Sequence, residues 1–170
     1  DPGRPAGREP APRLTPQIEA HEGLNDFARA KHSLRSICSN WAGSIGSEIV
    51  RQVSQFNPEL IVILDQAETP LYEIENEMRE KYPHINFKFV LGDISNRHRI
   101  EPLFQKYQFS MVYHAAAYKH VPLIEENPHE AILVNILGSK NISTLASKYK
   151  VNRFVMISTD KAVKPTNVMG

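Results

Sequence analysis

Three things are scarce in this 170-residue chain, and each narrows its class. Cysteine is the first. Cys38 stands alone, so no intrachain disulfide framework holds the fold, and a reducing compartment is expected. Charge of one sign is the second. Twenty Lys and Arg against 19 Asp and Glu leave a formal net charge of +1, scattered along the chain, which argues against a surface built around nucleic-acid phosphates. Long apolar runs are the third: none approaches the ~20 residues of a membrane-spanning helix, and no secretory leader is visible. A cytoplasmic protein is expected, one domain or one large piece of a domain. The chain opens on Asp1, so a fragment or a processed product is expected.

What is present divides at about residue 34. Five of the 12 prolines fall in residues 1–16, which cannot nucleate a helix or a central strand. A short helix is expected over 17–31, around Ile18, Leu24 and Phe27, and 1–33 is read as a lead-in. From 34 onward, strands and helices alternate. The expected strands are 34–39, 60–64, 86–91, 109–114 and 154–158. Leu60-Ile61-Val62-Ile63-Leu64 is apolar throughout, as in a strand covered on both faces, whereas Arg35 and Ser36 fit poorly in the first strand. Between them, Ile45, Ile49, Val53 and Phe56 mark one helix and Leu71, Ile74, Met78 and Tyr82 a second. A third is expected over 97–107. A long one is expected over 128–149, with Ile132, Ile136, Ile142 and Leu145 apolar. This alternation predicts an α/β fold: a Rossmann-like doubly wound parallel sheet with helices on both faces, over residues 34–170.

In such sheets, ligands bind beyond the carboxyl ends of the strands. Five expected ends carry distinctive residues. After the first comes Asn40-Trp41-Ala42-Gly43-Ser44-Ile45-Gly46, a glycine loop opening a helix, where unpaired amides and the helix dipole favour a pyrophosphate. It keeps two of the usual three glycines, and an ordinary helix start would look much the same. Asp65 closes the second strand, 19 residues after Gly46, where an acidic residue holds the adenosine ribose hydroxyls; a turn cap is the other reading. Gln66 follows rather than Arg, favouring NAD over NADP. Gly92 and Asp93 end the third strand. Ala115, Ala116 and Ala117 after the fourth let a cofactor lie close, or simply pack tightly. Tyr118, Lys119 and His120 then offer an anionic substrate two basic groups, or form a solvated loop. Ser158, Thr159, Asp160 and Lys161 end the fifth. A carboxyl and an amine there can act as acid and base, or make a surface ion pair.

From about Ser44 the chain resembles the nucleotide-sugar 4,6-dehydratases of the polysaccharide biosynthesis (CapD-like) family, in the extended short-chain dehydrogenase/reductase group. The matching runs are Gly43 to Glu48, His114 to Pro122, Glu125 to Pro128, Ile157 to Val163 and Pro165 to Gly170. The resemblance implies an NAD- or NADP-dependent cycle on a UDP-N-acetylhexosamine in bacterial surface-glycan assembly. Hydride leaves C4, water is lost across C5 and C6, and hydride returns to C6. It implies Lys161 as the base at C5, Asp160 as the acid towards the C6 hydroxyl, Thr159 near the C4 oxygen, and Met169 where the group usually has Tyr. Cofactor contacts are implied for Gly43, Ser44, Ile45, Gly46, Asp65, Asp93, Ile94, Ala115, Ala116, Ala117, Asn135 and Ser158, and substrate contacts for Lys119 and His120. No metal and no nucleic acid is implied; a homo-oligomer is, and so is a parent attached to the inner membrane through segments outside this chain. A further helix, a sixth strand and a sugar-binding region are implied after Gly170, so this chain is expected to have little or no activity by itself. A UDP-sugar 4-epimerase and a non-catalytic nucleotide-binding protein are the alternatives.

Overall fold

The computed structural model describes residues 34–39, 44–115, 118 and 120–158. The Pro-rich lead-in and the helix expected over 17–31 lie outside the described residues. Five strands, β1 (Arg35–Ser39), β2 (Leu60–Asp65), β3 (Asn86–Leu91), β4 (Met111–His114) and β5 (Arg153–Met156), form one sheet in the order β3-β2-β1-β4-β5. Every pairing is parallel. The register sets Ile37 beside Val62 on one side and Val112 on the other.

The helices are α1 (Ser44–Ser54), α2 (Glu68–Lys81), α3 (Arg97–Tyr107) and α4 (Val121–Glu126). One further helix runs as α5 (Pro128–Ala131), a π-helical stretch (Ile132–Gly138) and α6 (Ser139–Lys148). Every residue of β2 is buried, and its side chains alternate between two cores. Leu60, Val62 and Leu64 join Phe104, Val112, Ile142 and Leu145 on one face. Ile61 and Ile63 join Val50, Val53, Leu71, Ile74 and Met78 on the other. This is the doubly wound, Rossmann-like sheet that the strand–helix alternation predicts.

Two helices differ from their sequence patterns. In α1 the buried positions are Gly46, Val50, Val53 and Ser54, while Ile45 is 59% exposed and Ile49 and Phe56 are half-buried. Val50 and Val53 carry the core contact, and Ile49 packs against it from a half-buried position. Ser54 is tolerated there because its hydroxyl donates to the Val50 carbonyl at 2.8 Å. The helix expected over 128–149 contains the π stretch, and its buried face runs through Ala131, Val134, Gly138, Ile142 and Leu145 at helical spacing. Ile132 and Ile136 lie off that face and are exposed. Three strands are shorter than expected: Leu34 precedes β1 and Phe109 precedes β4, both still buried, and Ile157 and Ser158 follow β5. Arg35 is accommodated on β1 by Glu59, with which it pairs. Ser36 is fully buried, and its hydroxyl has no hydrogen-bond partner among the described residues.

Gly138 allows the long helix to meet the loop after β3. A Cβ there would stand 2.6 Å from both Cγ1 and Cδ1 of Ile94. Gly138→Ala should therefore destabilise the chain by about 1–3 kcal/mol through overpacking. Pairing it with Ile94→Ala should make the two changes clearly non-additive in urea titrations; simple additivity would refute the close approach.

Candidate functional site

The strand order places β1 between β2 and β4, so the chain's crossovers leave β1 in opposite directions and open a crevice at its carboxyl end. Four described segments meet that edge. The first is the N-terminus of α1, where Ser44, Ile45 and Gly46 supply amides that lack intrahelical partners. Gly46 is buried at that start.

The second is Asp65. It ends β2 and is 1% exposed, held there by its own backbone and side chain. Its carbonyl accepts from Gly92 N–H at 2.8 Å, and its Oδ1 accepts from Ala67 N–H at 2.8 Å, closing a turn. The turn-cap reading and the ribose reading thus use the same carboxylate. Leu64, Asp65, Gln66, Gly92, Ile94 and Val134 line a cleft beside it.

The third is the end of β3. Asp93 Oδ1 accepts from Ser95 N–H at 2.7 Å and Oδ2 accepts from the Ser95 hydroxyl, so this carboxylate shapes the loop. Ile94 is 4% exposed and packs under Gly138. The fourth is the end of β4. Ala115 is half-buried and donates its N–H to the Ser39 carbonyl at 3.3 Å. Asn135, in the π stretch, grips Tyr118: Tyr118 N–H donates to Asn135 Oδ1 at 2.8 Å, and Asn135 Nδ2 donates back to the Tyr118 carbonyl at 3.4 Å. Gln66 Nε2 donates to the Tyr118 hydroxyl at 3.3 Å, tying this loop to the residue after Asp65. His120 is exposed at the start of α4, and Ser158 is exposed beyond β5. Gly43, Ala116, Ala117, Lys119, Thr159, Asp160, Lys161 and Met169 lie outside the described residues.

One polar feature was invisible in the sequence. His114 ends β4 at 1% exposure, with Nδ1 2.7 Å from the Ser39 hydroxyl and Nε2 2.8 Å from the Ser139 hydroxyl. Burial pushes its pKa down from 6.5 to about 4. A neutral imidazole thus links the end of β1 to the start of α6. Its serine partners are 75 and 25 residues away, so no local pattern announces them.

The donor set fits a dinucleotide. A buried carboxylate at a strand end suits ribose hydroxyls, and a glycine at the start of a helix suits a phosphate's close approach. No group of three or more His, Cys, Asp or Glu that could hold a metal ion occurs among the described residues. No helix among them is long and apolar enough to cross a membrane.

Residues 38–170 match the family described as polysaccharide biosynthesis protein. The chain belongs to that family. The capsular polysaccharide biosynthesis protein CapD of Staphylococcus aureus is 53% identical over 129 residues, covering 75% of this chain and 22% of that protein. The X-ray structure of Pen from Bacillus thuringiensis superposes with a TM-score of 0.75 at 32% identity, over 82% of this chain and 42% of that one. A UDP-glucose 4-epimerase from Thermus thermophilus, solved in complex with NAD, superposes with a TM-score of 0.61 at 28% identity, over 74% of this chain and 38% of that one. The family member described here thus spans less than half the length of each.

Proposed function

We propose that this chain is the cofactor-binding part of an NAD(P)-dependent nucleotide-sugar 4,6-dehydratase that acts on a UDP-N-acetylhexosamine in bacterial surface-glycan assembly. The observation that carries the reading is the buried Asp65 carboxylate at the end of β2, facing the same strand edge as the start of α1. Asp65 would hold the adenosine ribose, the α1 amides the pyrophosphate, and Ala115 would let the cofactor lie close. Gln66 in place of a cation favours NAD over NADP.

The bound cofactor supplies a reversible hydride acceptor. The catalytic roles fall on the segment after β5. Lys161 takes the C5 proton once C4 is a ketone, and Asp160 protonates the departing C6 hydroxyl, so that water leaves. Thr159 holds the C4 oxygen, with Ser158 alongside, and Met169 occupies the place of the group's usual Tyr. Lys161 would then return a proton to C5, and the hydride that the cofactor would supply at C6 completes the product. The second reading, a UDP-sugar 4-epimerase, is favoured by the likeness to the NAD-bound epimerase. An adjacent acid and base favour water loss instead.

NAD at 100 times its Kd should stabilise the purified chain by about 2.7 kcal/mol in chemical denaturation. Asp65→Asn keeps an oxygen for the Ala67 turn but removes the charge. It should weaken NAD by roughly 10- to 100-fold, the equivalent of one lost charged hydrogen bond. No stabilisation by NAD would overturn the cofactor reading. With UDP-N-acetylglucosamine and the parent polypeptide, a product lighter by one water supports the dehydratase. A product of unchanged mass supports the epimerase.

A further inference from the structure

His114 is buried among polar partners that the proposed cycle does not use. It ends β4, one residue before Ala115, and β1 ends beside it: Ser39 and His114 are register partners on adjacent strands. Only residues 40–43 separate Ser39 from Ser44, where α1 begins. On its other side the imidazole meets Ser139, the first residue of α6. That helix end also holds the loop after β3, because the Asn141 amide donates to the carbonyls of Ile94 at 3.1 Å and Ser95 at 2.8 Å. One line of hydrogen bonds therefore runs through Ser39, His114 and Ser139, from the strand before the glycine loop to the helix that fixes the loop after Asp93.

Packing alone does not call for this line. The ring lies 6.2 Å from that of Phe154, and an apolar side chain would fill the same space. Apolar burial has no direction, whereas a hydrogen bond fixes distance and angle. Ile142 and Leu145 press α6 onto the sheet, and the bond at Ser139 adds a fixed height along the strands. Burial keeps the ring neutral, with one nitrogen donating and the other accepting. One serine therefore donates to the ring and the other accepts from it, so the two contacts are set as a pair. We propose that His114 is a positioning residue for the cofactor: through Ser39 it fixes the strand end from which the glycine loop leaves, and so the place of the α1 amides that meet the pyrophosphate. The proposal rests on the dinucleotide reading above and adds what holds the phosphate loop in place.

ADP-ribose carries the pyrophosphate and adenosine lacks it, so the two probes separate positioning of the loop from a general loosening of the fold. Both are titrated against the full chain and followed by amide chemical shifts. Ser39→Ala and Ser139→Ala should each weaken ADP-ribose by about 10-fold, the equivalent of one hydrogen bond. Each should leave adenosine within about 2-fold, because Asp65 on β2 holds the ribose without this line. The double variant should lose little more than either single one, since both changes act through one imidazole. Ser139 is half-buried, so its change is the milder for the fold and carries the test alone where Ser39→Ala does not fold. Ser139→Ala binding ADP-ribose as the wild type does, equal losses for the two probes, or single losses that multiply in the double variant would each overturn the positioning role and leave the cofactor reading standing. A wild-type chain that binds neither NAD nor ADP-ribose overturns both.

Discussion

Between pH 6.5 and 4 the chain is expected to lose about 3 kcal/mol of stability, and His114 is the cause. Its pKa is about 4 when folded, against 6.5 when exposed. The unfolded chain therefore binds the proton first as pH falls, and stability drops across that window. A shift of this size corresponds to about 3 kcal/mol, fully present above pH 6.5 and lost by pH 4. Hydrogen bonding does not oppose the charge, because both serine hydroxyls can turn to accept from an imidazolium. The lost hydration does. The paired carboxylates act in a separate window. Arg51 and Lys81 hold Glu77 at about 2, and Lys148 and Arg97 hold Glu101 at about 2, so their stabilisation fades from about pH 4.5 downward. Urea titrations at half-unit pH steps resolve the two. His114→Gln cannot titrate and should flatten the upper limb while lowering stability at pH 7. An unchanged slope from pH 6.5 to 4 in that variant would clear His114.

Ile142→Ala should cost about 2–5 kcal/mol, whereas Ile136→Ala should fall within about 0.5 kcal/mol of wild type. Both isoleucines sit in one long apolar stretch, but six residues of α-helix turn through about 240°, so the two point to different faces. Ile142 is 0% exposed and packs with Phe104 and Leu145, while Ile136 is 62% exposed. Matched urea midpoints with unchanged m-values would establish the difference as one of stability. Equal costs at the two positions would mean that Ile136 is buried as Ile142 is.

That pair shows where sequence reading succeeds and where it stops. β2 was legible because a strand covered on both faces must be apolar at every position, and Leu60 to Leu64 are. The α2 stripe was legible because Leu71, Ile74 and Met78 are large and regularly spaced. The α1 face was legible only in part: Val53 joins the core as expected, whereas the buried Gly46 and Ser54 do not look hydrophobic. The π stretch was not, because distant partners accompany it: Ile94 meets Gly138, and Tyr118 binds Asn135. The place of Asp65 at the end of a buried strand followed from the apolar run before it. The Gln66–Tyr118 contact spans 52 residues and the Ser39–His114 contact 75, beyond the reach of any local pattern. The proposed chemistry at Thr159, Asp160, Lys161 and Met169 rests on their likeness to the family pattern, since these residues lie outside the described ones.

Amide chemical-shift mapping with NAD bears most directly on the claim that the carboxyl edge of the sheet is a nucleotide site. Saturable shifts should gather at Ile45, Gly46, Asp65, Gln66, Gly92 and Ala115, which lie in different elements and share only that edge. Shifts gathering instead at the opposite edge, around Leu34, Leu60 and Asn86, would contradict the account.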